Sequence, residues 1–221
     1  MTGDVRFDLC GEAVALLPER CLFWERAAAL VVADPHFGKA DAFRAAAVPV
    51  PGGAAAALAR LASALDRTGA ARLVVLGDFW HARAGRTPAV VAELAAWRRA
   101  RPKLCIDLVR GNHDRAGPPP PGWADAWHAE PLPDPPFVFA HYPDPSAAGY
   151  VLAGHLHPGI ALTGRGRQRM RLACFWFGPR VGVLPAFGAF TGAATVAPAP
   201  GDRVFALADG QVVDVSQIAG G

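Results

Sequence analysis

Five short segments concentrate the side chains that could do chemistry: Asp34-Pro35-His36, Gly77-Asp78, Gly111-Asn112-His113-Asp114, a separate His141, and Gly154-His155-Leu156-His157. Together they hold three carboxylates, one amide and five imidazoles. Nitrogen and oxygen donors without a thiolate suit divalent Mn, Fe or Zn. Two such ions, about 3.5–4 Å apart, can clamp a phosphoryl group, lower the pKa of a water and stabilise the departing oxygen. A pair of ions needs a carboxylate between them. A lone histidine or aspartate at a strand end is more often a turn residue, so the signal lies in the ordered set.

The elements that must position these groups follow from hydrophobic patterning. Val5 to Cys10 and Glu12 to Leu17 read as a hairpin turning at Gly11, followed by strands at Cys21 to Trp24 and Ala28 to Ala33. Lys39 to Ala47 reads as a helix, and so does Gly53 to Thr68, where Leu58, Leu61 and Leu65 fall at i, i+3 and i+7 before a stop at Gly69. Arg72 to Leu76 is a strand, Pro88 to Ala100 a helix, Leu104 to Val109 a strand. The prolines of residues 116–136 argue for a loop lying over the site. Strands resume at Phe137 to Ala140 and Tyr150 to Ala153, and short strands separated by Gly and Pro follow Gly154.

Each polar segment therefore falls just after an apolar strand. Ligands gather outside the carboxyl ends of strands in open sheets, so the five segments are expected to form one cluster. The glycines before Asp78, Asn112 and His155 are expected to let the backbone turn sharply there.

Composition sets bounds. The chain has 221 residues, 52% of them hydrophobic, enough for one core, and we read 1–221 as a single domain. A net charge of +3 permits a polyanionic partner without requiring one. Cys10, Cys21, Cys105 and Cys174 form no C-x-x-C pair and read as buried thiols in a reducing compartment. Met1-Thr2-Gly3-Asp4 lacks the start of a signal peptide, and no apolar stretch approaches the roughly 20 residues of a membrane span, so a cytoplasmic enzyme without membrane contact is expected. Trp80, Trp97, Trp123, Trp127 and Trp176 read as core or loop anchors, and His128 as an exposed histidine.

The five segments, in this order, resemble the signatures of the calcineurin-like metallophosphoesterase superfamily. That resemblance implies an α/β fold, an αββα sandwich of two mixed sheets flanked by helices. It implies one metal on Asp34, His36, Asp78 and His157, and another on Asp78, Asn112, His141 and His155, with Asp78 as bridge. His113 then faces the phosphate, stabilising the transition state or protonating the leaving oxygen, with Asp114 orienting its imidazole.

The flanks Asp34-Pro-His-Phe-Gly-Lys-Ala40, Gly77-Asp-Phe-Trp-His81, Gly111-Asn-His-Asp-Arg115, Gly154-His-Leu-His-Pro158 and Leu184 to Gly192 resemble the bacterial ligase-associated DNA-damage-response endonuclease family, PdeM. This implies a Mn-dependent phosphodiesterase or endonuclease acting on DNA in repair, alongside an ATP-dependent DNA ligase, an exonuclease and a helicase. Pro35 and Phe37 stand where the family more usually has Leu, and Ala173 where it has Pro; none is an implied ligand. The Gly-Asp-x-x-His pattern of superfamily DNA nucleases makes His81 a substrate-facing or ligand-supporting residue, the alternative being a surface histidine.

Lys39 and Arg115 follow the metal segments closely and are expected to hold substrate phosphate. Arg165, Arg167, Arg169 and Arg171 alternate along an expected strand, so one face carries all four. Such a row, Arg167 and Arg169 at its centre, suits a nucleic-acid backbone, or equally a solvated strand face or an oligomer interface. Hydrolysis of small diesters or nucleotide pyrophosphates is the alternative activity. A non-catalytic scaffold is the third reading, against which the complete donor set weighs.

Overall fold

The computed structural model describes residues 3–48, 50–163, 169–189 and 191–219. The first sheet takes its strands in chain order: β1 (Val5–Leu9), β2 (Glu12–Leu17), β3 (Cys21–Trp24), β4 (Ala29–Ala33), β5 (Arg72–Leu76), β6 (Cys105–Val109) and β7 (Ala126–His128). β1 to β4 form an antiparallel meander; β4 to β7 are parallel. Helices α1 (Lys39–Ala45) and α2 (Ala54–Thr68) connect β4 to β5, and α3 (Pro88–Arg99) connects β5 to β6. Parallel neighbours need such crossovers.

The second sheet contains β8 (Leu132–Asp134), β9 (Phe137–Phe139), β10 (Tyr150–Ala153), β11 (Pro158–Thr163), β12 (Arg169–Phe177), β13 (Val181–Val183), β14 (Ala194–Thr195), β15 (Arg203–Ala208) and β16 (Gln211–Asp214). Its path is β14-β11-β12-β13-β10-β9-β8, with β15 on β12 and β16 on β15. A four-residue helix, α4 (Ser216–Ala219), lies against β15 and β11. No described helix is long and apolar enough to cross a membrane.

Strand alternation divides the core. In β5, Leu73 and Val75 join Leu58 and Leu61 of α2 and Leu94 of α3 in one cluster, while Val74 and Leu76 join Phe139, Leu152 and Phe175 of the second sheet in another. Both faces of β5 are thus covered, which is why its sequence is continuously apolar. Gly69 ends α2 in the left-handed region at φ 68°, its N–H donating to the Leu65 carbonyl at 2.9 Å. Thr87 caps α3 by accepting from the Val90 N–H at 3.3 Å, with Pro88 in the first turn.

The carboxyl ends of β4, β5 and β6 lie side by side, and those of parallel β9 and β10 face them from the second sheet. The segment after β13 stitches the two edges together. Leu184 N–H donates to Ala153 O at 2.9 Å, Phe187 N–H to Ala33 O at 2.7 Å and Gly188 N–H to Asp34 O at 3.1 Å. Arg20 braces the stitch by donating to the carbonyls of Ala186 and Gly188.

Three expectations change. Residues 116–136 are not all loop: β7 and β8 are edge strands, where Pro133 can sit because an edge leaves ladder groups unpaired. His128 on β7 is not a free surface group, since its Nε2 donates to Asp107 at 2.8 Å. Cys21 and Cys174 are buried, but Cys10 in the β1–β2 turn and Cys105 at the start of β6 are exposed.

Candidate metal centre

The site is built on strained backbone. Asp34, His36, Asp78, His155 and His157 all adopt φ between 46° and 67°, the left-handed region that non-glycine residues avoid. Each such conformation costs of order 1–3 kcal/mol and persists only where the surroundings impose it. Of the three glycines expected to permit sharp turns, only Gly77 has positive φ, at 74°. Gly111 and Gly154 serve close approach instead: a Cβ would stand 2.3 Å from Asp78 Oδ1 at Gly111, and 2.5 Å from Asp34 Oδ2 at Gly154.

Seven side chains converge as two sets that meet at Asp78. On one side, His36 Nε2 lies 3.3 Å from His157 Nε2, His157 Nε2 lies 3.5 Å from Asp34 Oδ2, and His36 Nε2 lies 3.8 Å from Asp78 Oδ2. On the other, His141 Nε2 lies 2.8 Å from Asn112 Oδ1, 3.1 Å from His155 Nδ1 and 3.5 Å from Asp78 Oδ1. Separations of about 3.0–3.5 Å are those of two donors each roughly 2.0–2.2 Å from one ion. His141 Nδ1 also lies 3.4 Å from Asp34 Oδ1, so Asp34 borders both sets. The Nδ1 of His157 donates to the Gly192 carbonyl at 3.2 Å, which leaves its Nε2 as a lone-pair donor facing inward.

Burial explains the electrostatics. Asp34 and His141 are completely buried and His36 nearly so. Burial, with Asp78 beside it, holds the Asp34 carboxyl well above the ordinary carboxylate range. Burial pushes the imidazoles of His36, His141 and His157 down, His36 to about 2. Neutral imidazoles beside two crowded carboxylates are what a divalent cation would satisfy. Asp34 Oδ1, buried with no hydrogen-bond partner among the described residues, fits the same requirement.

His113 stands at the mouth with its side chain 40% exposed and its Nε2 3.9 Å from Asp78 Oδ2. Its expected partner is wrong. The Nδ1 of His113 lies 2.7 Å from the His81 backbone carbonyl, to which it donates. Asp114 accepts from the N–H groups of Gly111 at 2.8 Å and Trp80 at 3.3 Å, so it closes its own turn and ties it to the β5 loop. A carboxylate following a strand end is nearer to those unpaired amides than to the ring beside it in sequence. Burial pushes Asp114 up to about 6, partly offset by these N–H donors.

His81 does face the centre. Its ring lies between those of Phe43 and His113, with centroids at 6.0 and 5.8 Å, and edge-on to His36 at 5.6 Å. Burial and nearby Lys39 push its pKa down. Lys39, half-buried, lies close enough to His36, His81 and His157 to disfavour protonation of all three. Arg115 is exposed beside His113. Arg169 is exposed on β12, as is Arg171, which donates to Thr195 Oγ1 at 2.6 Å. Arg165 and Arg167 lie outside the described residues.

Among the described residues, three sets place their donor atoms within 4.8 Å of one another: Asp34-His36-His157, Asp34-Asp78-His141 and His36-His81-His113. Among solved structures, the crystal structure of Pseudomonas putida nuclease MPE superposes with a TM-score of 0.85 at 39% sequence identity, covering 96% of this chain and all of that one. This chain belongs to the same family. The two-sheet α/β architecture is accordingly the metallophosphoesterase sandwich that the motifs implied. No family model and no curated protein matches the chain.

For a member of the nuclease MPE family, sequence reasoning overlooked two residues at this centre. Glu130 Oε2 accepts from the backbone N–H groups of His141 at 2.7 Å and Tyr142 at 3.1 Å. Tyr142 places its ring 4.5 Å from that of His155. Glu130 had no signal within its proline-rich segment; Tyr142, directly after a donor histidine, had adjacency alone.

Proposed function

We propose that residues 1–221 act as one binuclear metal-dependent phosphodiesterase domain, an endonuclease that hydrolyses DNA phosphodiester bonds. The observation that carries this is the meeting of two donor sets on the two oxygens of Asp78. Asp34, His36, Asp78 and His157 would hold one divalent ion, and Asp78, Asn112, His141 and His155 the other, manganese being the metal that the PdeM resemblance implies. Such ions supply a water of lowered pKa and neutralise phosphate charge.

The chain's own residues do the rest. His113, its Nδ1–H fixed on the His81 carbonyl, directs Nε2 toward the centre and, when doubly protonated, gives that proton to the leaving oxygen. His81 holds the His113 ring on one face. Lys39, half-buried and with no carboxylate partner among the described residues, offers its charge to the substrate phosphate, with Arg115 at the rim and Arg169 along the path of the strand. Asp114 acts by holding the turn that carries Asn112 and His113.

The likeness to the Pseudomonas nuclease supports nuclease activity, and the PdeM-like flanks support DNA as substrate and work in bacterial repair with an ATP-dependent ligase, an exonuclease and a helicase, in the cytoplasm. The decisive assay loads the protein with Mn and offers single-stranded DNA and a chromogenic diester. We expect both to be cut, with turnover falling about 10²–10⁴-fold in His113→Ala and to background in Asp78→Ala. DNA left intact while the diester is hydrolysed would refute the nuclease reading.

A further inference from the structure

Tyr142 is one of only four large hydrophobic side chains exposed among the described residues, and it alone of the four stands at the metal centre. Its ring packs edge-on to His141 at 4.9 Å and at a 60° tilt to His155 at 4.5 Å, with 37% of the residue still open. The backbone beneath it is fixed, because the same Glu130 oxygen accepts from the N–H groups of His141 and Tyr142. An aromatic face held this way loses little entropy when something stacks on it.

Beside Tyr142 opens a cavity of about 420 Å³, walled by Pro131, Ala140 and Pro145 and edged by Glu130 and Asp144. That volume lies within the roughly 300–1,000 Å³ of small-ligand pockets. Two carboxylates make the cavity hostile to phosphate but good acceptors for ring and exocyclic N–H groups. A flat group with apolar faces and N–H edges fits all three features; a phosphate fits none.

We infer that Tyr142 and this cavity form a subsite for one nucleobase flanking the scissile phosphate, the base stacking on the tyrosine ring while the phosphate rests on the metal centre. Stacking on an aromatic side chain tolerates any base sequence. The inference rests on the DNA hydrolase reading and names one contact that would place the strand.

Single-stranded oligonucleotides, intact or with one abasic residue moved along the chain, test it in the Mn-loaded enzyme. Metal content is measured for each variant. We expect Tyr142→Ala to raise KM about tenfold on intact DNA, and to lose no more when the flanking base is also missing. Tyr142→Phe and Tyr142→Trp should stay within about twofold of the parent. Tyr142→Leu, which fills the space against His155 without an aromatic face, should behave like Tyr142→Ala. Leu equal to Phe, or an equal loss on intact and abasic DNA, overturns the inference, and the Leu–Phe pair decides even if Ala loses metal. A parent enzyme that cuts no oligonucleotide overturns the nuclease reading and this subsite with it; a parent that cuts while Leu matches Phe overturns the subsite alone.

Discussion

At the scale of single residues, the centre depends on side chains that are missing as much as on those present. Gly111 faces Asp78 so closely that Gly111→Ala must push the carboxylate aside. We expect that variant to lose at least one metal and about 1–3 kcal/mol of stability, read by metal analysis and urea denaturation. Glu130→Ala should unpair two amides behind His141 and cost about 1–3 kcal/mol, with weaker metal binding by calorimetry. Glu130→Gln, which keeps an acceptor oxygen, should recover most of the metal affinity; failure to do so would assign Glu130 a role through charge. The exchange of partners at His113 belongs to this scale too: the ring is aimed by a carbonyl of the β5 loop, so its orientation depends on backbone rather than on Asp114.

At the scale of elements, parallel strands bring their carboxyl ends to one edge, and each chain reversal there presents donors. The helices sit behind. Leu94 of α3 is buried in the cluster between the first sheet and its helices, away from the cluster between the sheets. Leu94→Ala is therefore expected to cost about 2–5 kcal/mol in chemical denaturation while metal stoichiometry stays unchanged. Loss of metal in that variant would mean that the helix layer and the centre are coupled. The Leu184–Gly188 stitch works differently, since its amides bond to Ala33, Asp34 and Ala153 at the feet of the donor segments from both sheets. One edge of each sheet is thereby held in register with the other.

For the whole molecule, the proposed metal would couple to folding. The strained turns and the crowding of Asp34 against Asp78 cost stability that a bound cation would offset. Chelation should lower the melting temperature, and Mn at about 100 times its dissociation constant should restore about 2.7 kcal/mol, checked by thermal scans against metal concentration. Acidification acts on the same linkage. His36, His141 and His157 have folded pKa values below the roughly 6.5 of free imidazole. Depressed values mean that their contribution to stability is present above about 6.5 and lost as pH falls through the folded values. Metal should therefore be retained on dialysis at about pH 7 and released progressively on acidification below about 6.5, as measured by metal analysis; release complete above about pH 6.5 would contradict the burial of these rings.

The sequence by itself determined most of the strands, the two longer helices and the seven candidate donor side chains that the fold brings together around Asp78. Hydrophobic period and donor type are local properties, legible wherever a strand such as Leu73 to Leu76 runs straight into Gly77-Asp78. It also grouped the donors by sheet, because parallel strands of one sheet end together, whereas the meeting of the β4–β6 ends with the β9–β10 ends was decided by how the two sheets pack. Only the tertiary structure decided who touches whom. Asp114 turned to Gly111 and Trp80, His113 to a carbonyl 32 positions away, and Glu130 to the amides of His141 and Tyr142. Those pairings have no sequence period, since they are set by which unpaired amides and carbonyls two facing sheet edges bring within hydrogen-bond reach. Gly111 and Gly154 make the same point: their lack of a side chain answers a carboxylate on another strand, not a turn of their own.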